Sequence, residues 1–362
     1  MKKQMVKEKL ELYKMLEQKF RSDLLLILIA NVEGRTSDFD DYPNTSVLSE
    51  YYALDEYELI STTYKKLGYE LLNFFNEHEF MSAVINKTIY NSGKKLFVIN
   101  SAQTGTYIGR KSLIPAFCEH FKIMHTGSNP YVVSLCRDKF HSNIILNQYM
   151  HKRTDTCLYS ATKGWMGGIR PHIGQKIIAK LNGESASIGL SYDNVYTYSF
   201  DVDALLNLLS QKYRQAIIVQ PFISGYETEV PIIIGESSFP IISVGIQING
   251  EKLIGDNFLD YSTRFHHTYD FYNFDNFNNK ISDKLKVEAL YATELLGIEG
   301  FGRVDFRITP TGEYFISDIA TNPHITIDSS YAYAFQELGY SYSDMLSIFL
   351  GVSLSKYFPL NI

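Results

Sequence analysis

The 362-residue chain has only three cysteines, Cys118, Cys136 and Cys157. The odd count and the lack of CxxC-like spacing exclude a disulfide framework and a cysteine-based zinc site. Small buried thiols in a reducing cytosol are the expectation, so the chain reads as cytoplasmic. A surplus of one charge is also missing: 34 Lys plus Arg face 40 Asp plus Glu, a net of −6. That excludes the basic footprint of a nucleic-acid binder. Long hydrophobic runs are absent as well. The longest, LLLILIA at 24–30, is too short to span a bilayer and follows a charged helical segment unlike a signal-peptide flank. No internal repeat and no low-complexity tract is present.

What the chain does have is apolar content, 45% of its residues. That supports several cores and two or three domains. Val6, Leu10, Tyr13, Leu16 and Phe20 form one helical stripe, which predicts an N-terminal helix extension over 1–22. The helix either packs on its own domain or serves as a homodimer contact. Buried strands at Leu24–Ala30 and Lys95–Asn100 alternate with helical patterns. One such pattern runs through Ile60, Tyr64, Leu67, Leu71 and Phe74, another through LIPAFCEHF. This alternation predicts a parallel α/β domain over 23–135. The pattern then changes. Residues 136–230 read as a second domain and 231–362, mostly strands and then helices, as a third, giving a mixed α/β (α+β) chain.

The stretch RVDFRITPTGEYFISDIATNPHIT, 303–326, reads as a hairpin around a Pro–Thr–Gly turn. Side chains alternate along a strand, so Arg303, Asp305 and Arg307 share one face. Taking Thr311 and Gly312 as the two central turn residues pairs Asp305 with Asp318 and Arg303 with Ala320. In that reading Tyr314, Ile316, Asp318 and Ala320 share a face. Opposed Cβ atoms lie ~4.5–5.5 Å apart, where two like charges need a cation between them. A hard divalent ion with oxygen ligands is one filler. The alternatives are neutralisation by Arg303 or Arg307, or one Asp turned to solvent. An odd-length turn would break this register.

The same residues resemble the C-terminal signature of the D-alanine–D-alanine ligase group of ATP-grasp enzymes. HTGSNPYVVSLCRDK, IIAKLNGESASIGLS and VQPFISGYETEV resemble further family segments in the family's order, over about 95–350. The resemblance implies an ATP-grasp fold behind an N-terminal parallel α/β domain. It implies an ATP-dependent ligase that joins a small-molecule carboxylate donor to an amine acceptor, with Mg²⁺ (Mn²⁺ as a substitute). Position by position, it places Lys139 and Lys180 on the ATP phosphates and Gln220, Phe222 and Ile223 beside the adenine. Glu227 falls on the ribose hydroxyls, and Glu184 belongs to the phosphate loop. Asp305 and Asp318 match metal carboxylates. Arg303 matches the oxyanion stabiliser, and Ser187 and the mobile-loop Arg264 join it as catalytic positions. Ser329, Gln103 and His324 fall on substrate positions. Glu56 or Glu58 is the candidate donor-binding acid.

Departures from the family pattern concentrate on the donor side. Ala320 replaces a metal-binding Asn, His324 a Gly, Ala186 a Ser and Phe265 a Tyr, and Gln103 stands for a His. They imply a donor other than D-alanine. The competing readings are a nucleotide binder without catalysis and a phosphotransferase that stops at a phosphorylated product. Arg303 beside the metal face favours ligation, because a binder has no oxyanion to stabilise.

Overall fold

The computed structural model describes residues 3–37, 39–90, 93–150 and 152–360. Three sheets organise them. The first holds the strands Leu24–Ala30, Glu70–Phe74, Lys95–Ser101 and Met124–His125, all parallel, with Leu24–Ala30 in the middle. Every residue of that central strand is buried. Leu24, Leu26 and Leu28 join one core, and Leu25, Ile27 and Ile29 the core on the opposite face. A continuous apolar run is what a strand covered on both faces requires. The stripe expected to be one helix divides: Leu54–Lys66 is helical, and Leu71 belongs to the strand Glu70–Phe74. Gly68, at φ +98°, lies between them and turns the chain.

The other two sheets carry the cavity. The second contains Lys176–Leu181 and Ile217–Pro221, paired antiparallel. Ile177, Ala179, Leu181, Ile217 and Val219 pack in a core with Leu206 and Tyr213 of the helix Val202–Tyr213. The alternate residues Ile178, Lys180 and Gln220 line the cavity. The third sheet contains Tyr226–Ile234, Gly300–Ile308 and Tyr314–Ala320. Val230, Ile232, Val304, Phe306 and Ile308 bury against Leu285, Ala289, Ala292 and Leu296 of the helix Asn279–Leu296. The period-2 alternation leaves Glu227, Glu229, Arg303, Asp305 and Arg307 on the opposite face, where they line the cavity. Each sheet thus turns a charged or mixed face toward the other. The strand Tyr226–Ile234 crosses the boundary expected at 230 and pairs within the third sheet, so the two sheets divide between Pro221 and Tyr226. Gly225 (φ +153°) lies at the junction, where a Cβ would sit 1.9 Å from the Ile308 carbonyl oxygen.

The N-terminal helix, Lys3–Phe20, is not a separate extension. Val6, Leu10, Tyr13 and Leu16 are buried in a core shared with the first sheet and with the helix Tyr342–Leu354. A Cβ at Gly351 would lie 1.9 Å from the Tyr13 carbonyl oxygen, so only glycine permits this approach. Glu17 is fully buried and accepts bonds from Arg21 (2.8 and 2.9 Å), Ser347 (2.6 Å) and Tyr69. The apolar stripe is therefore covered within the chain. Among the described residues no helix is long and apolar enough to cross a membrane.

Candidate active site

The hairpin has the expected register at its functional end, for a reason the sequence reading missed. The turn is odd in length: Thr309 N–H donates to Glu313 O at 2.7 Å, enclosing three residues, with Gly312 at φ +88°. Near the turn Ile308 faces Tyr314 and Phe306 faces Ile316. A bulge then adds Ser317, and Asp305 faces Asp318, with Arg303 opposite Ala320. The extra turn residue and the extra strand residue cancel. Tyr314 and Ile316, expected on the face of Asp318 and Ala320, consequently pack against the apolar core, with Ile316 also reaching the cavity wall.

Three carboxylates lie side by side across three strands: Glu229 pairs with Asp305 and Asp305 with Asp318. Arg303 grips Asp305 with Nε and Nη2 (2.7 and 2.8 Å) and reaches Glu229 with Nη1 at 3.1 Å. Lys139 pairs with Asp318. Burial pushes the Asp305 carboxyl up to about 7, with Glu229 and Asp318 adding to it and Arg303 opposing. Burial acts upward on Asp318 too, but Lys139, Lys180 and Arg303 hold it below its ordinary range. Arg303 thus neutralises one aspartate, as the sequence left open; Arg307 instead binds Glu227 at 3.0 Å. Among the described residues no group of three or more His, Cys, Asp or Glu side chains forms a closed metal cage. Magnesium does not need one. It binds through one or two carboxylates, substrate phosphates and water. An oxygen-only pair at a crowded, cation-seeking position fits that demand.

The remaining nucleotide-side residues converge on the same cavity. Lys139, Lys180, Glu184, Gln220, Phe222, Ile223 and Glu227 all line it. Lys139 opens the helix Lys139–Tyr149, whose N-cap Asp138 accepts from His141 N–H. Asn182 ties that helix start to the end of the strand bearing Lys180: its side chain accepts from Phe140 N–H at 2.8 Å, and its carbonyl from Lys139 N–H at 3.2 Å. Burial, then Lys139, brings the Lys180 ammonium down to about 8. Gln220 donates to Thr156 at 3.2 Å and Asn143 at 3.4 Å. Phe222 packs with Ile178, Leu190 and Phe258 in a small apolar cluster. Arg307 braces this end. It donates to the carbonyls of Ile223 (2.9 Å), Gly255 (2.8 Å) and Asn257 (3.0 Å). In the phosphate loop Ala186 and Ser187 both adopt positive φ (+50° and +56°). Ser187 Oγ bonds the Leu259 carbonyl, tying that loop to the segment leading to Arg264.

The substrate-side expectations fare unevenly. Arg264 and His324 line the cavity. Burial, then the charges of Arg264 and Lys111, push the His324 imidazole down to about 3, so it is neutral. Its ring meets Tyr52 edge-on at 5.5 Å. Ser329 is not among the lining residues. It is the N-cap of the helix Ser330–Glu337, donating to Thr326 O at 2.7 Å. Gln103 lies beneath the surface and donates to the Glu50 carbonyl at 2.7 Å, which makes it a support for Glu50. Glu56 caps its own helix through Ala53 N–H (2.9 Å) and Glu58 is exposed. Phe265 is 46% exposed and stacks on Tyr261.

An acid outside these expectations that does line the cavity is Glu50, and it heads a buried ionic cluster. Arg110 bridges Glu50 and Glu184, at 2.9 Å to each. Arg137 bridges the same two carboxylates at 3.3 and 3.0 Å. Lys111 lies 3.4 Å from Glu50 and donates to Ser185 at 3.1 Å. These residues come from the turn Val47–Glu50, the turn Arg110–Ser112, the helix Pro130–Arg137 and the phosphate loop. No local motif joins them. Glu229 was legible, since it follows Glu227 by two on one strand and must share its face. All three cysteines are buried and free, their thiols raised by burial to about 11 or 12.

Comparison with known proteins agrees with this geometry. Residues 156–351 match the family described as D-ala D-ala ligase C-terminus. D-alanine–D-alanine ligase B of Clostridium perfringens is 25% identical over 248 residues, covering 68% of this chain and 78% of that protein. The D-alanine–D-alanine ligase of Pseudoalteromonas translucida is 24% identical over 239 residues, covering 66% and 74%. In structure, the Bacillus anthracis D-alanine–D-alanine ligase complexed with ATP superposes with a TM-score of 0.67 at 16% identity, over 92% of this chain and 99% of that one. The VanG D-Ala:D-Ser ligase of Enterococcus faecalis gives 0.63 at 15%, over 91% and 99%. With more than half its length inside the family match, and with acidic hairpin, lysine pair and sheet topology in place, the chain belongs to the D-alanine–D-alanine ligase family of ATP-grasp enzymes, which are ATP-dependent ligases.

Proposed function

We propose that this ligase activates a carboxylic acid as an acyl phosphate and joins it to an amine, and that its donor is not D-alanine. The observation that carries the reading is the juxtaposition of Asp305 and Asp318 with Lys139, Lys180, Glu227 and Arg303 on one cavity. A carboxylate is a poor electrophile, and phosphoryl transfer from ATP gives it a good leaving group. The protein contributes mainly position and charge to such a transfer. Lys139 and Lys180 screen the phosphates, while the apolar group around Phe222 receives the base. Glu227, held by Arg307, faces the ribose. Asp305 and Asp318 would hold Mg²⁺, which supplies charge neutralisation on the phosphates.

When the amine attacks, the carbonyl oxygen gains negative charge. Arg303 stands on the cavity face with two of its N–H groups bonded to Asp305 and Nη1 paired with Glu229 at 3.1 Å, so its orientation is set before the charge appears. The backbone N–H of His324 is the second donor. The neutral His324 ring and Arg264 flank the approach, and the hydrogen bond from Ser187 to Leu259 joins the phosphate loop to the segment leading to Arg264. Collapse of the tetrahedral adduct expels phosphate, and loss of the amine's proton to the departing phosphate leaves the amide.

The D-alanine reading weakens where the family pattern does. Ala186 brings no hydroxyl, and Glu50 is engaged by two arginines and a lysine. The reading is tested by incubating the protein with ATP, Mg²⁺ and pooled carboxylic and amino acids, with and without hydroxylamine. Acid-dependent ADP release with hydroxamate formation, lost in Asp305→Asn, is expected. ATP binding without turnover on any pool would overturn it in favour of a nucleotide binder.

A further inference from the structure

The ionic cluster on the donor side has a directional imbalance. Both acids are saturated. Glu50 Oε1 receives Arg137 (3.3 Å from each of two nitrogens) and Ser185, and Oε2 receives Arg110 at 2.9 Å with Lys111 at 3.4 Å. Glu184 Oε1 receives Tyr42 (2.7 Å), Gln215 (3.0 Å) and Arg110 (3.2 Å), and Oε2 receives Arg137 (3.0 Å) and Arg110 (2.9 Å). A carboxylate offers about four lone-pair sites, so little accepting capacity remains.

The cations are not saturated. Lys111 has three donors and makes one hydrogen bond, to Ser185, besides its long pair with Glu50. Nε of Arg110 and Nε of Arg137 are buried without a partner, in side chains 0% and 6% exposed. Two arginines and a lysine face two carboxylates. Lys111, Arg137, Glu50, Glu184 and Ser185 all line the cavity, next to His324. The two Nε atoms lie behind the wall, Arg110 being outside the lining, so the donor presented to the cavity is the Lys111 ammonium. Filled acceptors beside a spare donor repel an ammonium and attract an anion.

We propose that the donor is a dicarboxylic acid whose second carboxylate, the one not activated, is received by Lys111 at this cluster. Glu50 and Glu184 then hold the cations in place and do not read a substrate amine. The inference rests on the ligase reading for the word donor, but the anion site itself does not depend on turnover. Burial, opposed by Glu50, lowers the Lys111 ammonium to about 7 in the free protein. An arriving carboxylate raises it, so binding takes up protons near neutrality.

The experiment is calorimetric titration of the full chain, with Mg²⁺ and a non-hydrolysable ATP analogue, using glutarate and glutamate against butyrate and alanine. The dicarboxylates are expected to bind at least about tenfold more tightly. Lys111→Met should remove that preference and Lys111→Arg retain it. Proton uptake, read from buffers of different ionisation enthalpy, should accompany glutarate binding to the wild type. Equal affinity for glutarate and butyrate, no binding of either, or tighter binding of inorganic phosphate than of glutarate would overturn the proposal. Because the wild-type comparison needs no variant, a misfolded Lys111→Met leaves it falsifiable. Absence of ADP release in the separate turnover assay would sink the ligase reading without touching the anion site.

Discussion

At the nucleotide end of the cavity the charged residues sit on neighbouring strands, in register, one pair at a time. At the donor end they converge from four segments spread between residues 47 and 185 and interlock in one buried cluster. The first arrangement leaves cations facing open space where phosphates would go, with each acid bound by one or two partners. The second fills its acids completely. A sheet can present a row of charges because alternation sends the apolar residues to the other face. A cluster made from turns needs mutual ion pairing to survive desolvation, since a lone buried charge costs several kcal/mol. The nucleotide end is therefore tunable residue by residue, whereas the donor end changes as a unit.

The sharpest way to break that contrast is to remove one acid from each end. Glu50→Ala leaves Arg110, Arg137 and Lys111 facing Glu184 alone. It should destabilise the fold by about 3–5 kcal/mol in chemical denaturation, the cost typical of a broken buried ion pair. Glu227→Ala, at the nucleotide end, should cost less, about 1–2 kcal/mol in the same measurement, because Arg307 keeps its bonds to three carbonyls. A similar loss from both would erase the distinction. Next in size is Arg303→Lys, which keeps the charge but loses the bidentate hold on Asp305. It should lower kcat by about 10²–10³ while the KM for ATP changes little. Lys180→Met should do the reverse, weakening ATP by about tenfold or more with little effect on melting temperature.

The last effect concerns pH. The Asp305 carboxyl is raised above its unfolded value, so the folded chain holds a proton that the unfolded chain has lost. Stability without metal should therefore fall as pH rises from the ordinary carboxylate range to about 7, and change no further through this group. Metal needs the ionised form. The affinity for Mg²⁺ with ATP should rise by up to about tenfold per pH unit below 7 and then level off. Asp305→Asn should flatten both trends, and a wild-type affinity indifferent to pH would contradict the assignment.

The difference between the two ends also explains what could be read from the chain alone. Asp305, Asp318, Lys180, Gln220 and Glu227 lie on or beside strands. There the spacing by two fixes which side chains share a face, and an ordered set of segments resembles a known family. The pairing of Asp305 with Asp318 expected from a two-residue turn occurs instead through a three-residue turn offset by the bulge at Ser317. Strand periodicity does not reveal a bulge. Leu71 and Phe74 continued a helical stripe because a helix and a following strand can share a core, and only Gly68 marked the break. Glu50, Arg110, Lys111 and Arg137 carried no such signal. Each reads as a surface charge near a turn until the fold buries them together. Ser329, placed by resemblance, caps a helix and is not among the residues lining the cavity.

The central claim is that a carboxylate oxygen becomes bonded to phosphorus on this cavity floor. The most direct measurement supplies a carboxylic substrate labelled with ¹⁸O in both carboxylate oxygens and analyses the phosphate released with ADP by mass spectrometry. The account predicts one ¹⁸O atom in each phosphate, because the amine displaces the oxygen that phosphorylation attached. Phosphate free of label, released at the same rate as ADP, would contradict it.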